Sequence, residues 1–116
     1  MIERITIKLT NRRPITIVED NWPLIARAKD WDNTYEFQAN RTWRIRVRQH
    51  EDGRTVVYGV YDTHYQGECN RVAGYLLETD DEAQITRAIR DVGEHIGCED
   101  CMIDECIADL PAVKLV

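Results

Sequence analysis

Residues 41–62, RTWRIRVRQHEDGRTVVYGVYD, constrain the fold more than any other stretch of the chain. Apolar and polar residues alternate on both sides of Asp52-Gly53, as they do in strands with one buried face. Asp-Gly is a favoured pair for a two-residue type I′ turn, because both central residues of that turn need a positive φ. The pattern therefore predicts a β-hairpin in which His50 faces Thr55.

The two faces of this hairpin are expected to differ in chemistry, because successive side chains of a strand point to opposite faces. The core side of the first strand consists of Trp43, Ile45 and Val47. Its other side, named here the arginine stripe, consists of Arg44, Arg46, Arg48 and His50. In the predicted register, the second strand adds Val56, Tyr58 and Val60 to the core side. The same register leaves Thr55, Val57, Gly59 and Tyr61 beside the arginines.

The arginine stripe is a candidate contact surface. Neighbouring arginines on one sheet face repel one another, and the residues predicted to lie opposite them include no acid. Arginine and tyrosine are also favoured at protein interfaces. We therefore expect the partner-binding residues to be Arg44, Arg46, Arg48, His50 and Tyr61.

The rest of the chain predicts an α+β domain. Alternation over residues 2–10 and 15–18 indicates an N-terminal hairpin, and residues 71–77 indicate a further strand. A helix is expected over residues 19–31, and two more follow at the C-terminal end. The first of these begins at a Thr79–Glu82 capping box and ends at Gly97, and the second covers residues 99–109. The order β-β-α-β-β-β-α-α predicts an antiparallel sheet of about five strands with helices packed on one face.

Length and charge set further limits. A chain of 116 residues fits a single domain, residues 1–116. Residues 1–77 hold 12 Lys or Arg and 10 Asp or Glu, whereas residues 78–116 hold 3 and 11, so the predicted C-terminal helices are strongly acidic. The sequence contains neither a long apolar run nor the pattern of a signal peptide, so we expect no membrane association and a cytoplasmic location.

One group of residues has the composition of a metal site. His95, Cys98, Cys101 and Cys106 lie close together in sequence, and zinc favours Cys and His ligands. Structural zinc sites usually take ligand pairs from separated segments, however, and Cys106 falls on the apolar face of a predicted helix. We therefore expect free thiols and no metal, with zinc binding as the alternative.

Catalytic patterns are sparse. The three histidines, His50, His64 and His95, lie in unrelated sequence contexts, and the chain contains no serine. The sequence has no glycine-rich phosphate loop or dinucleotide-binding fingerprint. We expect neither catalytic residues nor a cofactor, and the prediction is a non-enzymatic protein.

Three stretches, NRRPITIVEDNWPLIA, VRQHEDGRTVVYGVYD and ECIADLPAVKL, carry a resemblance. Together they resemble small uncharacterised accessory proteins of bacterial phages, plasmids and integrative elements. The resemblance implies an accessory gene of a mobile element, and many small acidic products of such genes inhibit host defence, anti-CRISPR proteins among them. No functional residue is implied by it.

These observations together predict a protein-binding module, an anti-CRISPR-like inhibitor whose partner is a host protein or nucleoprotein complex. The arginine stripe would form one contact surface. The acidic helices around residues 94–105 would form another by mimicking nucleic-acid charge. The alternative is a nucleic-acid-binding accessory protein that uses the basic sheet face.

Overall fold

The computed structural model describes residues 2–32 and 41–111, which form six strands, a short 3-10 helix and two α-helices. The predicted α+β class is confirmed. In chain order the elements are β1 Arg4–Ile7, β2 Ile15–Val18, the 3-10 helix Glu19–Asn21, β3 Leu24–Asp32, β4 Arg41–Gln49, β5 Thr55–Thr63, β6 Arg71–Leu77, α1 Glu82–Ile96 and α2 Asp100–Ala108.

The strands form two antiparallel sheets. Strands β3, β4, β5 and β6 pair in chain order as a four-stranded meander, and β1 pairs with β2 in a separate hairpin. The helices pack on one face of the meander. The N-terminal hairpin was predicted correctly, with a shorter first strand than residues 2–10.

The helix predicted over residues 19–31 is wrong. A single 3-10 turn is followed by β3, which pairs with β4 along its length. Ala26 and Ala28 are buried on the helix-covered face, while Arg27 and Lys29 are exposed on the opposite face. That period of two is the period of a strand, and pairing with β4 outweighs the helix-start signals before it.

The central hairpin is present, but its predicted turn is wrong. The His50 N–H donates to the Arg54 carbonyl at 2.8 Å and the Gly53 N–H to the His50 carbonyl at 2.9 Å, so three residues form the loop. Gly53 adopts φ 97°, and a turn followed by a left-handed residue is the common three-residue hairpin connection. Consequently, Thr55 pairs with Gln49 and not with His50.

This shift of one residue exchanges the two faces of β5. Val57 and Tyr61 lie on the helix-covered face with Ile45 and Val47, whereas Val56 and Tyr58 share the opposite face with the arginines. The predicted assignment of the β5 side chains to the two faces is therefore the reverse of the one observed.

The main core lies between the meander and the helices. Helix α1 contributes an apolar stripe at helical spacing: the buried side chains are Ile85, Ala88, Ile89, Val92 and Ile96. A Cβ added to Gly59 on β5 would lie 2.5 Å from Val92 Cγ1, so α1 packs directly on the backbone there. The N-cap is Asp81, which accepts from the Gln84 N–H at 3.2 Å, and not Thr79 as predicted. The left-handed C-cap at Gly97 is confirmed.

The N-terminal hairpin covers part of the opposite face. Ile7, Ile17 and Trp22 bury Val56 of β5 in a second, smaller core. A Cβ added to Gly74 on β6 would lie 2.6 Å from the Lys8 carbonyl oxygen, so this glycine permits a close backbone approach and does not mark a bulge. The β3–β4 half of this face is therefore the half that carries exposed charge.

Candidate functional site

Arg48 does not belong to an exposed stripe. Its side chain is 8% exposed and lies beneath the segment that joins β2 to β3. Its Nε donates to the Tyr58 hydroxyl at 2.9 Å, and its NH1 donates to the Trp22 carbonyl at 3.2 Å. The Glu19 carboxylate lies 3.8 Å from the guanidinium. Arg48 therefore holds the N-terminal hairpin to the sheet.

His50 and Arg44 also have partners within the chain. His50 lies at the hairpin loop, where its ring meets the edge of Trp22 at 5.2 Å and its Nδ1 accepts from the Asp52 N–H at 3.2 Å. Arg44 NH2 donates to Asp62 Oδ2 at 2.9 Å, with both side chains more than a third exposed. An exposed pair of this kind contributes at most about 1 kcal/mol and can exchange partners.

Tyr61 lies on the face opposite to the arginines, contrary to prediction. It is 7% exposed and stacks on Trp43 with ring centroids 5.2 Å apart. Its hydroxyl donates to Glu68 Oε1 at 2.8 Å. It belongs to the core and to a polar cluster at the sheet end, so it is unavailable as a ring beside the arginines.

The cluster around Glu68 fixes the loop after β5. Arg41 NH2 donates to this carboxylate at 2.7 Å, and the Thr63 hydroxyl donates at 2.6 Å. These hydrogen bonds, with that of Tyr61, lower the pKa of Glu68 to about 2 because they favour the charged form. The cluster is a structural tie between the end of the hairpin and the loop.

A different basic surface forms where β3 lies beside β4. Arg27 is directly opposite Arg46, and Lys29 is directly opposite Arg44. We name these four residues the basic face. Directly opposed like charges destabilise a sheet by a few tenths of a kcal/mol to about 1 kcal/mol. Within the described ranges, Arg44 forms an ion pair with Asp62. The side chains of Arg27, Lys29 and Arg46 form no hydrogen bond or ion pair there.

The basic face borders a groove of about 690 Å³ at the edge of the sheet. Its lining consists of Arg27, Ala28, Lys29, Arg44, Arg46, Glu105, Ala108 and Asp109. The α2 end of the groove thus adds two carboxylates and a small apolar side chain to the cations of the sheet. The sheet side of the groove therefore suits anionic groups, whereas the α2 side suits small uncharged ones.

Of the five predicted site residues, the structure brings Arg44 and Arg46 together on the basic face. Arg27 and Lys29 were missed because their segment was predicted as a helix. The signal that would have found them is the Ala-Arg-Ala-Lys alternation of residues 26–29, which has the period of a strand.

The helices carry an acidic surface, which reaches the groove beside the basic face at Glu105 and Asp109. The exposed acids of α1 and α2 and their caps are Asp81, Glu82, Asp91, Glu94, Glu99, Asp100, Asp104, Glu105 and Asp109. Arg90 reaches Asp104 at 3.7 Å, an exposed pair that neutralises little of this charge. The charge of the chain is therefore polarised between the β3–β4 face and the helices, and the two signs meet at the groove.

The candidate zinc residues are not assembled into a site. Cys106 is fully buried in the core, Cys98 is partly buried and Cys101 is exposed. Burial raises the pKa of the Cys98 thiol to about 11 and that of Cys106 to about 12. Across residues 2–32 and 41–111, no three His, Cys, Asp or Glu side chains are grouped as metal ligands would be.

No helix in the described ranges has the length and apolar character needed to cross a bilayer. No protein-family model, curated protein or solved structure matches the chain.

Proposed function

We propose that the protein is a non-enzymatic protein-binding module that docks an acidic surface of a partner onto the basic face. The observation that carries this proposal is the direct opposition of Arg27 and Arg46, neither of which has an ion-pair partner among the described side chains. An anionic partner would replace this repulsion with attraction. Binding would therefore relieve the repulsion between the cations of the free protein, and this relief would add to the affinity.

The partner is a host protein or nucleoprotein complex, and the protein acts on it as an anti-CRISPR-like inhibitor of host defence. This part of the proposal is supported by the resemblance to accessory proteins of mobile elements. The polarised charge is consistent with it, because the acidic helices offer a second surface that resembles nucleic acid in charge. A cytoplasmic location follows from such a target.

Direct nucleic-acid binding through the same cations is the second candidate. It is favoured by the basic face itself, since arginines and lysines contact phosphates. It is disfavoured by the position of Tyr61, the stacking ring predicted beside the arginines, which is buried on the other face. The net charge of −6 also opposes approach to a polyanion.

The experiment is partner capture followed by quantitative binding. The tagged protein is used to isolate partners from a bacterial host lysate, and the partner identified by mass spectrometry is purified. Its affinity is then measured for the wild type, for Arg46→Glu and for Arg87→Glu. Arg87 is an exposed cation of α1, so its reversal matches the change in net charge away from the basic face.

We expect Arg46→Glu to weaken partner binding at least about tenfold, which corresponds to about 1.4 kcal/mol, and Arg87→Glu to change it less than about twofold. Equal losses in both variants would reject docking through the basic face. A labelled oligonucleotide tests the second candidate, for which log affinity would fall steeply and linearly with log salt concentration.

A further inference from the structure

Strand β3 is an edge strand, and most of its outer side is unpaired among the residues that the structure describes. It pairs with β4 on one side and lies at the end of the sheet order. The backbone N–H and C=O groups of a strand point alternately to its two neighbours, and the Arg27 N–H points outward, away from β4. The groups of Lys29, two residues further on, therefore point outward too. Among the described residues, no hydrogen bond reaches the Lys29 N–H.

Asp109 already bonds to one outward-facing backbone group of this edge. Its Oδ2 accepts from the Arg27 N–H at 2.9 Å, so an anionic oxygen from the end of α2 satisfies the first outward donor. The groove continues from there past Lys29. An extended segment that entered it would meet a backbone donor at the spacing of a strand.

The two sides of this edge differ. On one side lie the cations of the basic face, and on the other lie Ala28 and Ala108 with the carboxylates of Glu105 and Asp109. These carboxylates would repel acidic side chains on the helix side, so only the side chains that face the cations can be acidic. A strand placed here would need acidic side chains toward Arg27 and Lys29 and small or β-branched apolar side chains toward the alanines. Its sequence would alternate between the two kinds with a period of two.

A second copy of this chain fits the edge poorly. Pairing of two β3 strands would place the cations of one copy beside those of the other, and like charges across a strand pair are destabilising. Lysine on an edge strand is also a common device against such pairing. The charge of the edge thus favours an acidic segment over self-association.

We propose that β3 binds an extended acidic segment of the partner by strand addition, with backbone hydrogen bonds at Lys29 and carboxylates against the basic face. This inference rests on the proposed function and names the form of the partner segment. Backbone pairing would supply affinity, and the alternation of acidic and apolar residues would supply selectivity.

The protein variants that test it are Lys29→Pro and Lys29→Ala. Both remove the lysine charge, but only proline removes the outward N–H, and it does so without loss of a bond to β4. The probe is a fluorescein-labelled octapeptide of alternating glutamate and valine. We expect Lys29→Pro to bind it at least about fivefold more weakly than Lys29→Ala, with thermal melts showing that both variants are folded. Equal affinities would overturn strand addition.

A second arm uses the wild-type protein and so does not depend on the folding of a variant. The peptide is N-methylated on its glutamates or, in a separate synthesis, on its valines. In an added strand the amides of one set face β3 and those of the other set face away, so we expect one methylated peptide to lose binding and the other to keep it. Equal binding by both would mean that charge alone attracts the peptide, and strand addition would be rejected. Docking through the basic face would still stand if Arg46→Glu weakened partner binding.

Discussion

Two arginines of β4, two residues apart and equivalent in the sequence pattern, should behave oppositely when each is replaced by methionine. Arg48 is buried under the N-terminal hairpin, whereas Arg46 lies on the basic face opposite Arg27. Methionine keeps an unbranched apolar side chain of similar reach, so packing by the aliphatic part is largely retained and the change is mainly one of charge and hydrogen bonding.

The expected loss at Arg48 follows from its contacts. Its guanidinium makes hydrogen bonds to the Tyr58 hydroxyl and the Trp22 carbonyl, and a hydrogen bond to a charged group contributes about 1.5–3 kcal/mol. Removing a buried cation also relieves its desolvation cost, which offsets part of the loss. We expect Arg48→Met to lower the free energy of unfolding by about 2–3 kcal/mol.

Arg46→Met should be close to neutral. It removes one member of a like-charged cross-strand pair, so the free energy of unfolding should stay the same or rise by up to about 1 kcal/mol. Urea titration followed by tryptophan fluorescence measures both variants, and unchanged m-values would show that the midpoints can be compared. If the two variants lost stability equally, or if Arg48→Met were neutral, the distinction between buried Arg48 and partly exposed Arg46 would be wrong.

Three further changes probe other parts of the molecule. Gly74→Ala should lower stability by about 1–3 kcal/mol, because its Cβ would lie 2.6 Å from the Lys8 carbonyl oxygen, and an unaltered urea midpoint would contradict this close approach. Glu68→Gln should lower stability near neutral pH. Folding lowers the pKa of Glu68 from 4.5 to about 2, so the stability difference between the variant and the wild type should shrink as the pH drops through that interval. Urea midpoints measured at several pH values test this, and a difference that stayed constant would contradict it. Iodoacetamide at pH 8 should alkylate exposed Cys101 well before Cys98, whose pKa is raised to about 11, and peptide mass mapping that found the opposite order would refute the placement of these thiols.

The sequence predicted the fold class and most strand positions because alternation and turn residues are local signals. Strand β6 was predicted at residues 71–77 and is observed over Arg71–Leu77. The central hairpin was also found, but not its register. Asp52-Gly53 is compatible with a two-residue turn and with the last two positions of a three-residue loop. The two turns place opposite sides of β5 against the helices, so the choice depends on packing and not on the local sequence.

The one-residue shift in register changed which side chains lie beside the arginines, and so changed most of the candidate site. In the observed register, Tyr61 lies in the core and not beside the arginines. Val56 and Tyr58 lie on the same face as Arg48, under the N-terminal hairpin. The position of the hairpin depends on contacts distant in sequence, such as that between Lys8 and Gly74, and no local pattern encodes these. Of the stripe arginines, Arg44 and Arg46 are partly exposed on the predicted face, and Arg48 is buried.

Strand β5 is covered on both faces, and this should determine how its backbone amides exchange with solvent. The neighbours Val56 and Val57 point in opposite directions, and both are inaccessible to solvent, one beneath the N-terminal hairpin and the other beneath the helices. Deuterium should therefore reach the β5 amides only through global unfolding, while β3, one of the two edge strands of the meander, exchanges through local fraying. If a partner segment adds to β3 as proposed, it should slow amide exchange in β3 and leave exchange in β5 almost unchanged.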